Sequence, residues 1–163
     1  MLEVTKDYIS HLLEKYGNTA LKIAYTYLKN NADAEDAVQD LFMKIIDKNP
    51  SFADEQHEKY WIIRTTINIC KNKVGTFWQK NKCSIDEIEE SAVYDTYGDT
   101  DVLKAVMSLA EKQRICIYMH YYEGYPTAEI AKITKMSDTA VRSHLHRARA
   151  KLKEILKEEY DFE

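Results

Sequence analysis

The sequence TAEIAKITKMSDTAVRSHLHRARAKLKEIL, residues 127–156, contains a short apolar segment, a turn and a longer basic segment. Ile130 and Ile133 recur at helical spacing in the first segment, so that they can be buried together. Residues 134–136 are the predicted turn, and Ser137 follows at the expected N-cap of the next helix. Serine is favoured there because its side-chain oxygen accepts a backbone N–H of the first helical turn. This order predicts a helix-turn-helix.

The second helix of this motif has two different faces when its residues are placed at ~100° intervals. The apolar face, which we expect to be buried, contains Val141, Leu145, Ala148, Leu152 and Ile155. The basic face contains Arg142, His146, Arg149 and Lys153. Charge runs often do no more than keep a helix face in solvent, and this remains the alternative interpretation.

The basic face has the composition of a DNA-reading helix. The major groove admits one α-helix, whose N-terminal half reaches base edges while neighbouring arginines contact phosphates. We therefore expect Arg142, Ser143 and His146 to face base edges. Arg147 and Arg149 are expected to hold the DNA backbone.

Neither the histidines nor the cysteines predict a metal site. His144 and His146 are two residues apart, so on a helix they point ~200° away from each other. Cys70, Cys83 and Cys116 are widely spaced and form no C-x-x-C pair, a pattern that predicts neither a zinc ribbon nor a disulfide framework. We expect no metal and no other cofactor.

The composition excludes several classes of protein. The chain has 163 residues and a net charge of -4, and its four glycines and two prolines favour helices over a turn-rich β fold. Glycine-rich phosphate loops and hydrolase signatures are absent, so we expect no enzymatic activity. No apolar run reaches the roughly 18 residues of a membrane span, and the N-terminus resembles no targeting segment. We expect a cytoplasmic protein without membrane insertion.

Four helices are predicted in the N-terminal half. Apolar spacing indicates helices over residues 5–16 and 18–28, which we expect to form an antiparallel pair separated near Gly17. Asp33 is the expected N-cap of a helix that runs to about Asp47, and a further helix should extend from about Glu55 to Val74.

An acidic segment divides the chain. Residues 82–101, KCSIDEIEESAVYDTYGDTD, lack a sustained apolar stripe and are the best candidate for a linker. Helical periodicity resumes after it. The sequence thus predicts an all-α protein with helical modules over residues 1–80 and 101–163, joined by a linker over residues 81–100.

The C-terminal module resembles the second DNA-binding module of extracytoplasmic-function sigma factors, the small members of the sigma-70 family. That family follows an approximate pattern of E-G, E-I-A, a turn and S-x-G-T-V-K-S-R-L-x-R-A-R. The matching residues here are Glu123, Gly124, Glu129, Ile130, Ala131, Ser137, Val141, Arg142, Ser143, Leu145, His146, Arg147, Ala148 and Arg149. Lys135 stands where a turn glycine is common. The resemblance implies that this module reads the -35 promoter element.

The helix-turn-helix alone also resembles that of LuxR-type response regulators, and the N-terminal half decides between the two families. DAEDAVQDLFMKI, residues 33–45, is similar to the sigma-factor segment that docks on the β′ coiled-coil of RNA polymerase. The resemblance assigns core-polymerase binding to Asp33, Asp36, Gln39, Asp40 and Phe42. From periodicity alone, a solvated acidic helix face would be the preferred interpretation.

YWIIRTTINICKNKVGTFWQK, residues 60–80, looks like the sigma-factor element that opens and reads the -10 promoter motif. Unpaired strands bind to cations and to flat rings on which bases stack. The expected -10 contacts are Trp61, Arg64, Asn68, Lys71 and Asn72, supported by Lys73, Phe77, Trp78 and Lys80. Core packing is an equally good interpretation of Trp61.

The resemblance covers residues 8–157 and implies a sigma factor that directs promoter-specific transcription. Its expected partners are bacterial core RNA polymerase, through the β′ coiled-coil and the β flap, and promoter DNA. Anti-sigma proteins are frequent further partners in this family. The competing hypothesis is a free-standing helix-turn-helix regulator with an N-terminal dimerisation or ligand module, which would bind palindromic DNA as a homodimer.

Overall fold

The structure is a computed structural model that describes residues 6–77, 91 and 93–157, without the side chains of residues 75–77. Every regular element within these ranges is helical, so the prediction of an all-α fold is confirmed. The chain divides into two compact units, residues 1–82 and 83–163.

The first unit is a bundle of three long helices. Helix α1 spans Lys6–Leu28, α2 spans Asn31–Lys48 and α3 spans Glu55–Phe77, and each packs against the other two. Their shared core consists mainly of aliphatic side chains and tyrosines, among them Leu12, Tyr16, Ile23, Tyr25, Leu41, Ile45, Ile62, Ile63 and Ile67.

The predicted break at Gly17 is wrong, because α1 continues through it. A glycine inside a helix costs only about 1 kcal/mol relative to alanine, and burial on both sides of it offsets that cost. Leu12 and Tyr16 before the glycine and Ala20 and Ile23 after it lie in one helical register and are all buried. A side chain at position 17 would also approach the Cδ1 atom of Leu13 to 3.0 Å. Gly17 is therefore a buried position inside one continuous helix, and no antiparallel pair forms.

The N-cap of α2 is Asn30, and the prediction of Asp33 at this position is wrong. The side chain of Asn30 accepts a hydrogen bond from the backbone N–H of Asp33 at 2.9 Å, which places Asp33 inside the first helical turn. Asn49 ends the helix in the left-handed conformation, directly before Pro50. Helix α3 begins at Glu55 as predicted and extends three residues beyond Val74.

Part of the predicted linker is folded into the second unit. Residues 82–90 and 92 lie outside the described residues, but Val93 is fully buried and a short helix α4 spans Tyr94–Tyr97. The ring of Tyr97 packs edge to face on Tyr122 at 4.4 Å. These apolar side chains are too few to form a periodic stripe, which is why the sequence pattern gave no sign of them.

The second unit continues with α5 over Thr100–Met107, α6 over Glu111–Ile117 and a π-helical turn over Tyr118–Tyr122. Helix α7 spans Thr127–Thr134 and α8 spans Asp138–Leu156. Helices α5, α6 and α7 all pack against α8, which is the central element of this unit.

The predicted helix-turn-helix is confirmed. Lys135 ends α7 in the left-handed conformation with φ 59°, and the N–H of Met136 donates to the carbonyl of Ala131 at 3.0 Å. The Ser137 hydroxyl accepts from the N–H of Ala140 at 3.0 Å, as an N-cap does. Ile130 and Ile133 are buried.

The apolar face of α8 differs from the prediction at one position. Val141, Leu145, Ala148 and Leu152 are buried as expected, but Ile155 is 48% exposed and Leu156 is buried instead. Viewed down the helix axis, Ile155 and Leu156 lie about 50° to either side of the centre of the buried stripe. Neighbouring helices cover only the Leu156 side, which helical periodicity alone does not reveal.

Candidate nucleic-acid and protein interfaces

Helix α8 presents the predicted basic face to solvent. Arg142, His146 and Arg147 are exposed, whereas Ser143 and Arg149 are half-buried. Each of the five lies one or two positions from a buried residue of α8, so the packing of the helix fixes the direction in which it points. The structure therefore brings the predicted -35 residues together on one surface.

Two of the arginines on this face have different partners. Arg142 forms an ion pair with Asp138 one turn earlier, with the Nε atom 3.2 Å from a carboxylate oxygen. Arg149 donates from a guanidinium nitrogen to the hydroxyl of Tyr121 at 3.0 Å. Tyr121 lies 28 residues earlier in the sequence, and sequence reasoning missed it.

His144 and His146 differ in environment. His146 is exposed, but His144 is half-buried beside the cations of Lys112 and Arg147. Burial is the largest cause that lowers the pKa of His144, and the two cations lower it further. His144 is therefore held in its neutral form to lower pH than an ordinary histidine. Within the ranges that the structure describes, no three His, Cys, Asp or Glu side chains form a cluster that could hold a metal ion.

The predicted acidic surface lies on α2. Asp36, Gln39 and Asp40 are exposed, while Asp33 and Phe42 are half-buried. At ~100° per residue, Asp36 and Asp40 lie within ~40° of each other, which places them on one side of the helix. Three of the five predicted residues can thus meet a partner directly, whereas Asp33 and Phe42 reach solvent only in part.

Two exposed apolar side chains extend this acidic surface, and sequence reasoning missed them. Met43 and Ile46 are 56% and 47% exposed on α2. Both follow the acidic residues at helical spacing, and large exposed apolar groups rimmed by charge are typical of protein interfaces. The sequence pattern gave them no role, because their exposure depends on how α2 packs against α1 and α3.

An ion pair joins α2 to α3 beside this surface. The Lys73 ammonium lies 2.9 Å from a carboxylate oxygen of Asp40. Lys73 had been predicted as a cation for the unpaired DNA strand, and Asp40 as a polymerase contact. The two predicted surfaces therefore meet at this pair, and Met43, Asp47 and Asn72 line a shallow depression around it.

The predicted -10 residues on α3 differ in exposure along the helix. Lys71 and Asn72 are exposed, but Trp61, Arg64 and Asn68 are half-buried. The expected -10 contacts are therefore fully exposed only towards the C-terminal end of α3.

Packing against a neighbouring aromatic side chain contributes to the partial burial of Trp61. Its ring lies edge to face against Phe52 at 5.7 Å, and Phe52 in turn packs against His57 at 5.5 Å. The aromatic and basic candidates Trp78 and Lys80 lie outside the described residues, as does the side chain of Phe77.

Comparison with known proteins identifies both units. The family model for sigma-70 region 2 matches residues 12–78, and the model for sigma-70 region 4 matches residues 100–152. The chain is an extracytoplasmic-function sigma factor of the sigma-70 family. It directs promoter-specific transcription by RNA polymerase.

Individual relatives agree with this assignment. The sigma factor is 26% identical over 153 residues to the RNA polymerase sigma factor SigV of Bacillus subtilis, covering 90% of this chain and 89% of that protein. It is 22% identical over 147 residues to the ECF RNA polymerase sigma factor SigM of Mycobacterium tuberculosis, covering 89% and 75%.

Two solved structures share the fold of the sigma factor. One is the sigma factor RpoE of Bartonella quintana in complex with the anti-sigma factor NepR, with a TM-score of 0.66, 24% identity, and coverage of 96% of this chain and 100% of that one. The other is CnrH in complex with the cytosolic domain of CnrY, with a TM-score of 0.68, 19% identity, and coverage of 96% and 92%.

The region matches also decide against the free-standing regulator. Region 2 covers helices α1 to α3, the part of the chain in which that hypothesis would place a dimerisation or ligand module. Region 4 runs from α5 to Leu152 in α8 and includes the whole helix-turn-helix. None of the helices in the described part of the chain is long and apolar enough to cross a membrane.

Proposed function

We propose that this sigma factor works through three separate surfaces. The acidic face of α2 docks on the β′ coiled-coil of core RNA polymerase, the C-terminal part of α3 contacts the -10 element, and α8 reads the -35 element. The observation that carries this proposal is the exposure of Arg142, His146 and Arg147 on a capped helix whose opposite face is buried.

The -35 assignment follows from charge and position on α8. Arg142, Ser143 and His146 lie in the first half of the helix, from which side chains reach base edges in the major groove. Arg147 and Arg149 lie further along and hold phosphates on either side of the groove. Arg142 also forms an exposed ion pair with Asp138, the first residue of the helix.

The polymerase assignment rests on the mixed character of the α2 surface. Asp36 and Asp40 supply negative charge for a basic partner helix, and Gln39 supplies hydrogen-bonding groups. Met43 and Ile46 supply the apolar area that a stable interface needs at its centre. We add these two residues to the five that the sequence predicted, with Asp33 and Phe42 supporting the surface from partly buried positions.

The -10 assignment is strongest at Lys71 and Asn72, which are exposed. Arg64 and Asn68 reach the same side of α3 from half-buried positions, and Trp61 contributes through the edge that Phe52 leaves uncovered. Because exposure increases along α3, the unpaired strand makes its main contacts with the C-terminal part of the helix.

The remaining assignments concern partners and location. Residues 1–80 form the polymerase and -10 module and residues 101–163 the -35 module, which also contacts the β flap. Both solved relatives are complexes with an anti-sigma factor or a cytosolic domain, so an anti-sigma protein is the expected regulator. The sigma factor performs no chemistry and needs no cofactor, and it acts in the cytoplasm with its polymerase.

The polymerase surface is tested with Asp36→Lys, because Asp36 is exposed and is not itself a member of the Asp40–Lys73 ion pair. Glu14→Lys is the matched control, since Glu14 is an exposed acid on α1 and receives the same change of charge. We expect Asp36→Lys to weaken binding to core polymerase at least tenfold in a fluorescence anisotropy titration, and Glu14→Lys to bind like the wild type. Equal binding by both variants would contradict the assignment of α2.

A further inference from the structure

A π-helical turn lies directly before the helix-turn-helix. In residues Tyr118–Tyr122 the hydrogen bonds span five residues, and the N–H of Glu123 donates to the carbonyl of Tyr118 at 3.2 Å. Such turns are rare, and they occur often at functional sites because the inserted residue redirects the side chains around it.

The turn sends its three tyrosines in different directions. Tyr118 is buried and donates to a carboxylate oxygen of Glu123 at 2.6 Å, and the ring of Tyr122 packs on Tyr97. Tyr121 is 45% exposed, and its ring lies edge to face with the ring of His120, with 4.9 Å between the centroids. Tyr121 therefore packs on a neighbouring ring at the surface without belonging to the core.

The hydroxyl of Tyr121 accepts a hydrogen bond from the guanidinium of Arg149 at 3.0 Å. A phenol orients an arginine without neutralising it, in contrast to Asp138, whose carboxylate offsets the charge of Arg142. In the part of the chain that the structure describes, no carboxylate lies within ion-pair distance of Arg149. Arg149 thus keeps its full charge for an anion outside the protein.

We propose that Tyr121 positions Arg149 and that the two side chains together hold one phosphate of the -35 duplex. The Tyr121 hydroxyl accepts a hydrogen bond from Arg149 and still has its own hydrogen to donate. Both residues can therefore donate to oxygens of the same phosphate group. Tyrosine hydroxyls and arginines are both common donors to DNA phosphates.

This inference rests on the proposed role of α8 in -35 binding, but it assigns a residue outside the helix-turn-helix. Fixing the guanidinium in advance reduces the side-chain entropy that is lost when it binds. The pair should therefore strengthen binding without any preference for base sequence.

The test is Tyr121→Phe, with Tyr122→Phe as the matched control on the same turn. Each variant is combined with core RNA polymerase, and the affinity of the holoenzyme is measured for a promoter fragment that the wild type selects from genomic DNA. We expect Tyr121→Phe to weaken binding about five- to 25-fold, since it removes one or two hydrogen bonds that are worth roughly a factor of five each. Tyr122→Phe should bind like the wild type.

A double-mutant cycle separates positioning from a general structural effect. In an Arg149→Ala background, Tyr121→Phe should weaken binding by a smaller factor than in the wild type, because only the hydroxyl's own bond to the phosphate is then left to lose. A fragment with one neutral methylphosphonate at the contacted phosphate should bind the wild type and Tyr121→Phe equally. A merely structural role would leave the effect of Tyr121→Phe unchanged in both experiments.

Three results would overturn the inference. Tyr121→Phe could bind like Tyr122→Phe, it could weaken binding equally with and without Arg149, or it could alter base preference in place of overall affinity. A wild-type protein that forms no complex with polymerase and selects no promoter would instead overturn the proposed function, and this inference with it.

Discussion

Lys135 offers a direct test of the turn between α7 and α8. It adopts φ 59° and ψ 37°, a left-handed conformation that costs a residue with a side chain roughly 1–2 kcal/mol. Glycine removes this cost but loses about 0.5–1 kcal/mol more backbone freedom on folding. The difference predicts that Lys135→Gly stabilises the second unit by about 0.5–1 kcal/mol, or a rise in Tm of about 2–8 °C for a domain of this size.

Native-state hydrogen exchange measures this change within one unit of a two-unit chain. We expect the slowest amides of α7 and α8 to exchange about two- to fivefold more slowly in Lys135→Gly than in the wild type. Lys135→Ala is the control, because it removes the same side chain but keeps the left-handed strain. Equal exchange in Lys135→Gly and Lys135→Ala would refute the reasoning from backbone strain.

Three further predictions concern the second unit. Arg142→Ala should shift promoter preference at one or two base pairs, whereas Arg149→Ala should weaken binding to all promoters and reduce the salt slope by about 1; identical effects would show that α8 is misplaced in the groove. Because the pKa of His144 is lowered in the folded protein, the unfolded chain binds more protons at and below about pH 6.5. The free energy of unfolding should therefore fall as the pH drops through that range. His144→Gln should flatten this pH dependence when the free energy is measured by urea unfolding. Burial raises the pKa of the Cys116 thiol to about 12. In a Cys83→Ser variant the two remaining cysteines, Cys70 and Cys116, are both buried, so Ellman's reagent at pH 8 should react with neither until denaturant is added. Fast reaction of the folded variant would contradict this.

The helix-turn-helix was predictable because its signals are local. Ile130 and Ile133 recur at the helical period, and Ser137 caps α8 by a bond to a residue three positions away. The same holds for the stop of α2 before Pro50. In each case the residues that determine the element are neighbours in the sequence, so spacing alone reveals them.

The errors and omissions arose where distant residues decide the structure. Gly17 looks like a helix break until the packing of α1 against α2 and α3 is known, and Ile155 looks buried until the neighbours of α8 are known. Tyr121 meets Arg149 across 28 residues and through a π-helical turn, whose period no helical pattern anticipates. The Asp40–Lys73 pair likewise depends on how α2 and α3 pack.

The candidate surfaces were predicted unequally well for the same reason. On α8 helical spacing and the geometry of the major groove supplied the residues, and the structure exposes most of them on one side of the helix. On α2 the resemblance supplied the acids and Phe42 but not Met43 and Ile46, whose exposure depends on how α2 packs against α1 and α3. On α3 partial burial of Trp61 leaves the stacking role as a proposal.

The central claim is that the chain gives promoter selectivity to a polymerase that lacks it. The most direct measurement is gel filtration of the full chain with bacterial core RNA polymerase, followed by run-off transcription on genomic fragments. We expect co-elution and a small set of discrete transcripts that neither core polymerase alone nor the Asp36→Lys variant produces. A homodimer that does not co-elute with polymerase and that shifts palindromic DNA unaided would contradict the account.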